Sequence, residues 1–133
     1  MIRRFFPVFV ASVLMLTACA GGKTQTLEAF WKEAGIETVD NVSIQSGTTG
    51  VYKTLADEAQ IDRFLKSIKD TVFAPQKDQS ARGGWSYRII LHDGDKTFEF
   101  FLNKIGRVYY DSNPDIRPVV EEFYQMAEAA EGP

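Results

Sequence analysis

The densest group of chemically capable side chains is His92-Asp93-Gly94-Asp95, where the only histidine stands beside two carboxylates. Imidazole and carboxylate oxygens both ligate divalent ions, and the same pair serves in acid–base transfer. Asp-Gly is also a preferred two-residue hairpin turn, since both central residues of that turn take positive φ. A hairpin tip is wet, so its titrating groups are little perturbed. The turn accounts for this cluster without a site. A second cluster, Asp111-Ser112-Asn113-Pro114-Asp115 with Glu122 in the twelfth place, superficially follows a calcium loop. That loop takes oxygens at places one, three, five and twelve. Ile116 occupies the place of its glycine, Pro118 that of an aliphatic residue, and a strand rather than a helix leads in. Helix capping by Asn113 or Asp115 explains the cluster better. Nucleophilic catalysis finds no support: there is no G-x-S-x-G elbow, one histidine, and one cysteine, Cys19. Glycine-rich phosphate cradles are absent. Eighteen acidic residues always allow some carboxylate pair, but nothing in their spacing nominates one for glycoside cleavage.

Cys19 has a context of its own. Arg3 and Arg4 precede an apolar run of twelve residues, Phe5 to Leu16, broken only by Pro7 and Ser12. A bilayer-spanning helix needs about 20 apolar residues, so this run is too short for a permanent anchor and reads as an export signal. Ala18 supplies the small residue required before a cut. Leu16-Thr17-Ala18-Cys19 resembles the lipobox of bacterial lipoproteins, a resemblance confined to the first nineteen residues. It implies diacylglyceryl attachment to Cys19, cleavage before it, and acylation of the new amino terminus. The alternative is a plain secreted protein with an incidental cysteine.

On that reading residues 1–18 are a cleaved signal peptide, 19–25 the lipidated cysteine and a flexible tether (AGGKTQ after Cys19), and 26–133 one domain. Cleavage leaves 115 residues, enough to bury a core without disulfides or metal. No disulfide can form within the chain. Losing Arg3 and Arg4 leaves 13 basic against 18 acidic residues, a net charge of −5. The charges are scattered without a basic stripe, which argues against nucleic acid. Two or more acyl chains anchor stably where one does not, so the expected partner is a membrane, through lipid on Cys19. Ala20 after the lipidated cysteine implies the outer membrane in a diderm cell; in a monoderm cell the anchor lies on the outer face of the cell membrane.

The elements follow from periodicity and punctuation. Thr26 caps a helix from Leu27 to Ala34, stopped by Gly35, with Leu27, Phe30, Trp31 and Ala34 on one face. Val39 to Ser46 and Val51 to Leu55 form a hairpin around Gly47-Thr48-Thr49-Gly50. Asp57 with Gln60 is a capping-box pattern. Ile61, Phe64, Leu65, Ile68 and Val72 then recur at helical spacing up to the break at Pro75. Ala74 to Gly84 reads as a polar loop of eleven residues, functional or merely mobile, with mobile favoured.

Trp85 to Leu102 reads as a hairpin about Asp93-Gly94, which sets His92 opposite Asp95, Arg88 opposite Glu99 and Tyr87 opposite Phe100. Asn103 to Gly106 forms a second turn into Arg107–Tyr110, and Pro114 ends that strand. A last helix spans Ile116 to Ala130, with Pro118 in its first turn. The predicted fold is α+β: an antiparallel meander of about five strands with helices packed on it, in the order α-ββ-α-βββ-α.

Helices two and three should cover Trp85, Tyr87, Ile89, Phe98, Phe100, Val108 and Tyr110, each buried side chain worth about 1.5–3 kcal/mol. Ile90, Phe101 and Tyr109 lie on the opposite face, where the first helix is expected to cover them through Phe30 and Trp31. Otherwise they form an exposed interaction face. The functional expectation is a non-catalytic envelope lipoprotein that binds a protein or envelope component, through the 74–84 loop and the Ile90/Phe101/Tyr109 face. No cofactor is implied. The alternatives are an envelope hydrolase using acidic residues and a metal- or small-ligand-binding lipoprotein.

Overall fold

The structure is a computed structural model and describes residues 22–129. The Leu16–Cys19 motif lies outside them. The domain is α+β, with three helices on one face of an antiparallel sheet. In chain order the elements are β1 (Gln25–Thr26), α1 (Leu27–Glu33), β2 (Asn41–Ser46), β3 (Tyr52–Leu55), α2 (Glu58–Ile68) and β4 (Val72–Pro75). There follow β5 (Tyr87–Asp93), β6 (Lys96–Phe101), β7 (Lys104–Ile105), β8 (Val108–Asn113), α3 (Arg117–Met126) and β9 (Glu128–Ala129).

The sheet has nine strands, not about five, in the order β1-β4-β8-β7-β6-β5-β2-β3-β9. The β2–β3 hairpin packs beside β5, as a continuation of the β5–β8 meander, while β4 adds to the far side of β8. Three of the added strands are two-residue bridges with no sequence periodicity to announce them. The fourth, β4, is masked by the apolar spacing of the preceding helix. Val72 leaves that helix for the strand and is exposed. Similarly, the last helix stops at Met126 instead of Ala130, and Glu128 pairs with Thr54.

Local signals were otherwise reliable at the helix starts. Thr26 Oγ1 accepts from Ala29 N–H at 3.2 Å, and Asp57 Oδ2 accepts from Gln60 N–H at 3.1 Å. Pro118 sits in the first turn of α3, where its missing N–H costs nothing. Asp115 Oδ1 takes Arg117 N–H at 3.0 Å, one of the donors that the helix itself leaves unpaired.

The central hairpin keeps the expected faces but not the expected register. Asp93 pairs with Lys96, so Gly94 and Asp95 form the turn; Arg88 lies opposite Phe101 and Ile90 opposite Glu99. The shift is two residues, which preserves the inward and outward assignments within β5 and β6 because side chains alternate with a period of two. Two contacts favour it. Gly94 takes the first central place with φ 63°, and Asp93 Oδ2 accepts from Glu37 and Thr38 N–H at 2.8 and 3.1 Å. Arg88 still meets Glu99 diagonally, at 3.0 Å.

Val42, Ile44, Leu55, Ile89, Leu91, Phe100, Phe73 and Tyr110 supply the sheet's share of a single core. The helices contribute Leu27, Trp31, Ile61, Phe64, Ile68, Val120 and Phe123. Phe64 and Phe123 meet edge-to-face at 5.2 Å where α2 and α3 cross. The first helix corrects the expectation most plainly. It packs on the same face as the other two, with Trp31 in the core and Phe30 edge-on to Tyr110 at 5.5 Å. Its start is tied to the end of α2 by Leu27 N–H donating to Thr71 O and Glu28 N–H to Lys69 O. Residues 22–25, assigned on sequence grounds to the tether, also pack on the domain: a Cβ at Gly22 would lie 2.6 Å from Tyr110 Oη, and Gln25 pairs with Phe73.

Phe64→Ala should lower the unfolding free energy by about 3–5 kcal/mol in chemical denaturation, the usual cost of deleting a buried phenylalanine ring. The two backbone donors on Asp93 hold its carboxyl below the usual value of 3.8. A lowered carboxyl pKa gives stability above the unfolded value that is lost as pH falls through the folded one. Asp93→Ala should therefore melt below the parent at pH 7, and thermal melts down a pH series should converge below pH 3.8.

Candidate functional site

With α1 on the inner face, the outer face carries Ser43, Gln45, Arg88, Ile90, His92, Glu99, Phe101 and Tyr109, as the register requires. His92 Nε2 lies 3.1 Å from Ser43 Oγ, a lateral contact within the sheet. Ile90, Phe101 and Tyr109 share this face, but only Phe101 and Tyr109 converge. Ile90 stands apart between Ser43 and Glu99.

What covers Tyr109 is the segment after β4, the eleven-residue polar stretch whose first two residues belong to β4 itself. Gln79 pairs with Tyr109 as another strand residue would. Its Oε1 takes Tyr109 N–H at 2.8 Å and its Nε2 donates to Tyr109 O at 2.9 Å. Gln76 N–H donates to the same carbonyl at 2.9 Å, so the segment prolongs the β4 ladder by one residue and a side-chain amide. Arg82 fixes the segment's far end. Its guanidinium lies 4.0 Å from the Tyr109 ring centroid, donates to Gln76 Oε1 at 2.9 Å, and also donates to the Asp78 and Ser80 carbonyls. Ser80 N–H and Oγ–H both donate to Asp78 Oδ1, which holds the Asp78 carboxyl below its usual range. The segment read from sequence as a polar loop forms a hydrogen-bonded cover over one tyrosine.

Beyond the cover, the backbone turns at Gly84 (φ 78°) and swings Trp85 to the outer face. Sequence alternation placed Trp85 in the core. It packs on Phe101 instead, 5.4 Å between centroids, and is 39% exposed. Gly47 makes this path available. Its N–H donates to Ser86 O at 2.7 Å, and a Cβ there would lie 1.9 Å from the Trp85 carbonyl oxygen.

The cover, Trp85–Ser86, Asn103, residues 109–112 of β8 and the start of α3 enclose an open cleft of about 690 Å³. It arises where the sheet parts. The β7–β8 ladder consists of Lys104↔Tyr109 and Ile105↔Val108, and Tyr110 N–H still reaches Asn103 O; from Asp111 onward β8 keeps, among the described residues, a strand partner only on its β4 side. Arg82 and Arg117 face Asp111 and Asp115 in the lining, and Ser86, Ser112 and Asn103 add neutral polar groups. Two cations and two anions leave the walls without net charge. Arg117 also reaches Ser86 Oγ at 3.3 Å and Glu121 at 3.8 Å. Asp111 accepts from Gln76 Nε2 at 3.2 Å. A smaller hollow of about 90 Å³ adjoins it, lined by Trp85, Phe101, Tyr109 and Lys104 among others.

Of the residues nominated by sequence, Phe101 and Tyr109 border this region and Ile90 does not. Asp111 and Asp115, weighed as calcium ligands, lie in the cleft wall; His92 lies elsewhere on the outer face. Arg82 belongs to the 74–84 loop expected to bind, whereas Trp85, Asn103 and Arg117 were missed. The Gly83-Gly84 pair before Trp85 was the available hint that its alternation breaks there. For Arg117 no signal existed in the sequence. Among the described residues no helix is long and apolar enough to cross a membrane.

The chain matches no family model, no curated protein and no solved structure.

Gln79→Ala should release Tyr109 N–H from its only side-chain acceptor and loosen the cover. Amide exchange at Tyr109 should accelerate at least tenfold while exchange at Ile89, in the central ladder, stays unchanged.

Proposed function

We propose that this protein is a cell-envelope lipoprotein, anchored through lipid on Cys19, whose domain binds a ligand without catalysis in the cleft between β8 and Trp85–Ser86. The observation that carries the binding half is the cleft itself: about 690 Å³, with an exposed tryptophan on one bank and charges of both signs in its walls. Ligand sites commonly occupy about 300–1,000 Å³ and combine apolar area with a few placed polar groups. The interaction face proposed around Ile90, Phe101 and Tyr109 narrows on this reading to Phe101 and Tyr109, the two that adjoin the cleft. The Leu16–Cys19 motif supports the location, with the outer membrane as its destination in a diderm cell.

A second reading, an envelope hydrolase, is favoured by one observation: Asp111 and Asp115 line the same cleft. Both carboxylates already hold structural bonds, from Gln76 and from Arg117 N–H. That commitment favours binding over acid–base work.

Growth with an alkyne-tagged fatty acid should label the parent and leave Cys19→Ser unlabelled and released from the membrane fraction. A photo-crosslinking residue in place of Asn103 should capture an envelope component in intact cells, and one in place of Thr97 on the outer face of β6 should not. An unlabelled parent removes the anchor. Equal capture, or none, at the two positions removes the cleft as the site. Turnover of a glycan or ester substrate lost in Asp111→Asn or Asp115→Asn would favour the hydrolase.

A further inference from the structure

We infer that the ligand of the cleft is an extended polypeptide segment of another protein, which adds as a short strand to the open edge of β8. This rests on reading the cleft as a binding site and names the class of molecule it takes.

The argument starts from which way β8 points its backbone. A residue in a strand directs its N–H and C=O to the same side, and neighbours direct theirs to opposite sides. Gln76 N–H donates to Tyr109 O, and Gln79 engages both main-chain groups of Tyr109, so Tyr109 faces β4. Asp111, opposite Ala74, and Asn113, opposite Val72, face the same way. Val108, Tyr110 and Ser112 therefore face away from β4. Val108 meets Ile105 of β7, and Tyr110 N–H reaches Asn103 O at 2.9 Å. There β7 ends, and by the same alternation Ser112 directs its N–H and C=O toward the cleft it lines, with no strand among the described residues on that side.

A donor and an acceptor on one residue of a strand edge match the main chain of an added strand, about 4.8 Å away. The opposite bank supplies what an added strand needs for its side chains: Trp85, 39% exposed, and Leu102 beside it in the lining. The two arginines and two aspartates of the wall select no net charge. An apolar side chain on Trp85 and a main-chain pair on Ser112 are then the recognition elements. Edges left open are templates for pairing, and proteins usually blunt them; here residues 82–86 line the cleft beside the edge.

The purified full chain would be used to select peptides from a random twelve-residue display library, and a selected peptide then made synthetically. The peptide should slow exchange of the Ser112 amide at least tenfold. N-methylation at the one peptide position that donates to Ser112 O should weaken binding at least tenfold and at the two neighbouring positions should not. Ser112→Pro removes a donor that the β4 ladder does not use and should abolish binding with the melting temperature retained; should that variant fail to fold, Trp85→Ala, at an exposed position, should weaken binding at least tenfold. A flat N-methyl scan or unchanged Ser112 exchange overturns the proposal. So does concentration-dependent dimerisation lost in Ser112→Pro, which would make the occupant a second copy. If no peptide is selected but chitohexaose or inorganic phosphate perturbs Trp85 fluorescence, the cleft stands as a site and the peptide class falls. If nothing perturbs it, both fall.

Discussion

The structure turns on a change of partner along one strand. Over Val108 to Tyr110, β8 is held by β7 and the Asn103 carbonyl that precedes it; from Asp111 to Asn113 its only strand partner among the described residues is β4. One residue, Tyr109, stands at the crossing. Its main chain is tied on the β4 side by Gln76 and Gln79, and its ring lies under Arg82. A full-length β7 would have closed the sheet and left no opening beside β8. Because β7 is two residues long, the sheet parts, and the opening is flanked by Trp85 on one bank and Ser112 on the other.

Burial on the inner face permits this. Three helices crowd one side of the sheet, and the packed rings of Phe30, Phe73 and Tyr110 hold β4 and β8 against α1. Aromatic pairs at such centroid separations add about 0.5–1.5 kcal/mol beyond the area they bury. Among the described residues no helix covers the outer face. Its strands alternate polar side chains outward, and its few rings are shielded locally by a segment without regular structure. Shielding by hydrogen-bonded side chains, rather than by a helix, leaves gaps, and the cleft is one of them.

How much of this was legible in the sequence depended on range. Signals that act within four residues, such as Thr26 and Asp57 at helix starts, were fully legible, because a cap is completed by its own neighbours. Face assignments in the hairpin survived a register error of two, since alternation is indifferent to even shifts. The register itself depended on Asp93 reaching Glu37 and Thr38, more than fifty positions away, which no local pattern encodes. Placement of α1 failed for a related reason. An apolar stripe says that a helix is covered, not by which side of the sheet. The site was the least legible part, since Trp85 and Arg117 lie in the cleft through chain reversals at Gly84 and after Asn113.

Gly22 bears on geometry outside the domain. It rests against Tyr110 and Val108, so a residue three positions after Cys19 is already held by the domain. Three Cα steps span about 11 Å at full stretch, roughly a third of a bilayer's hydrocarbon thickness. A fatty graft on Cys19 would thus hold the globule flush with the lipid headgroups on a leash too brief for free tumbling. Orientation, and hence the direction from which anything could enter, would be dictated by where the amino-terminal end meets the folded body.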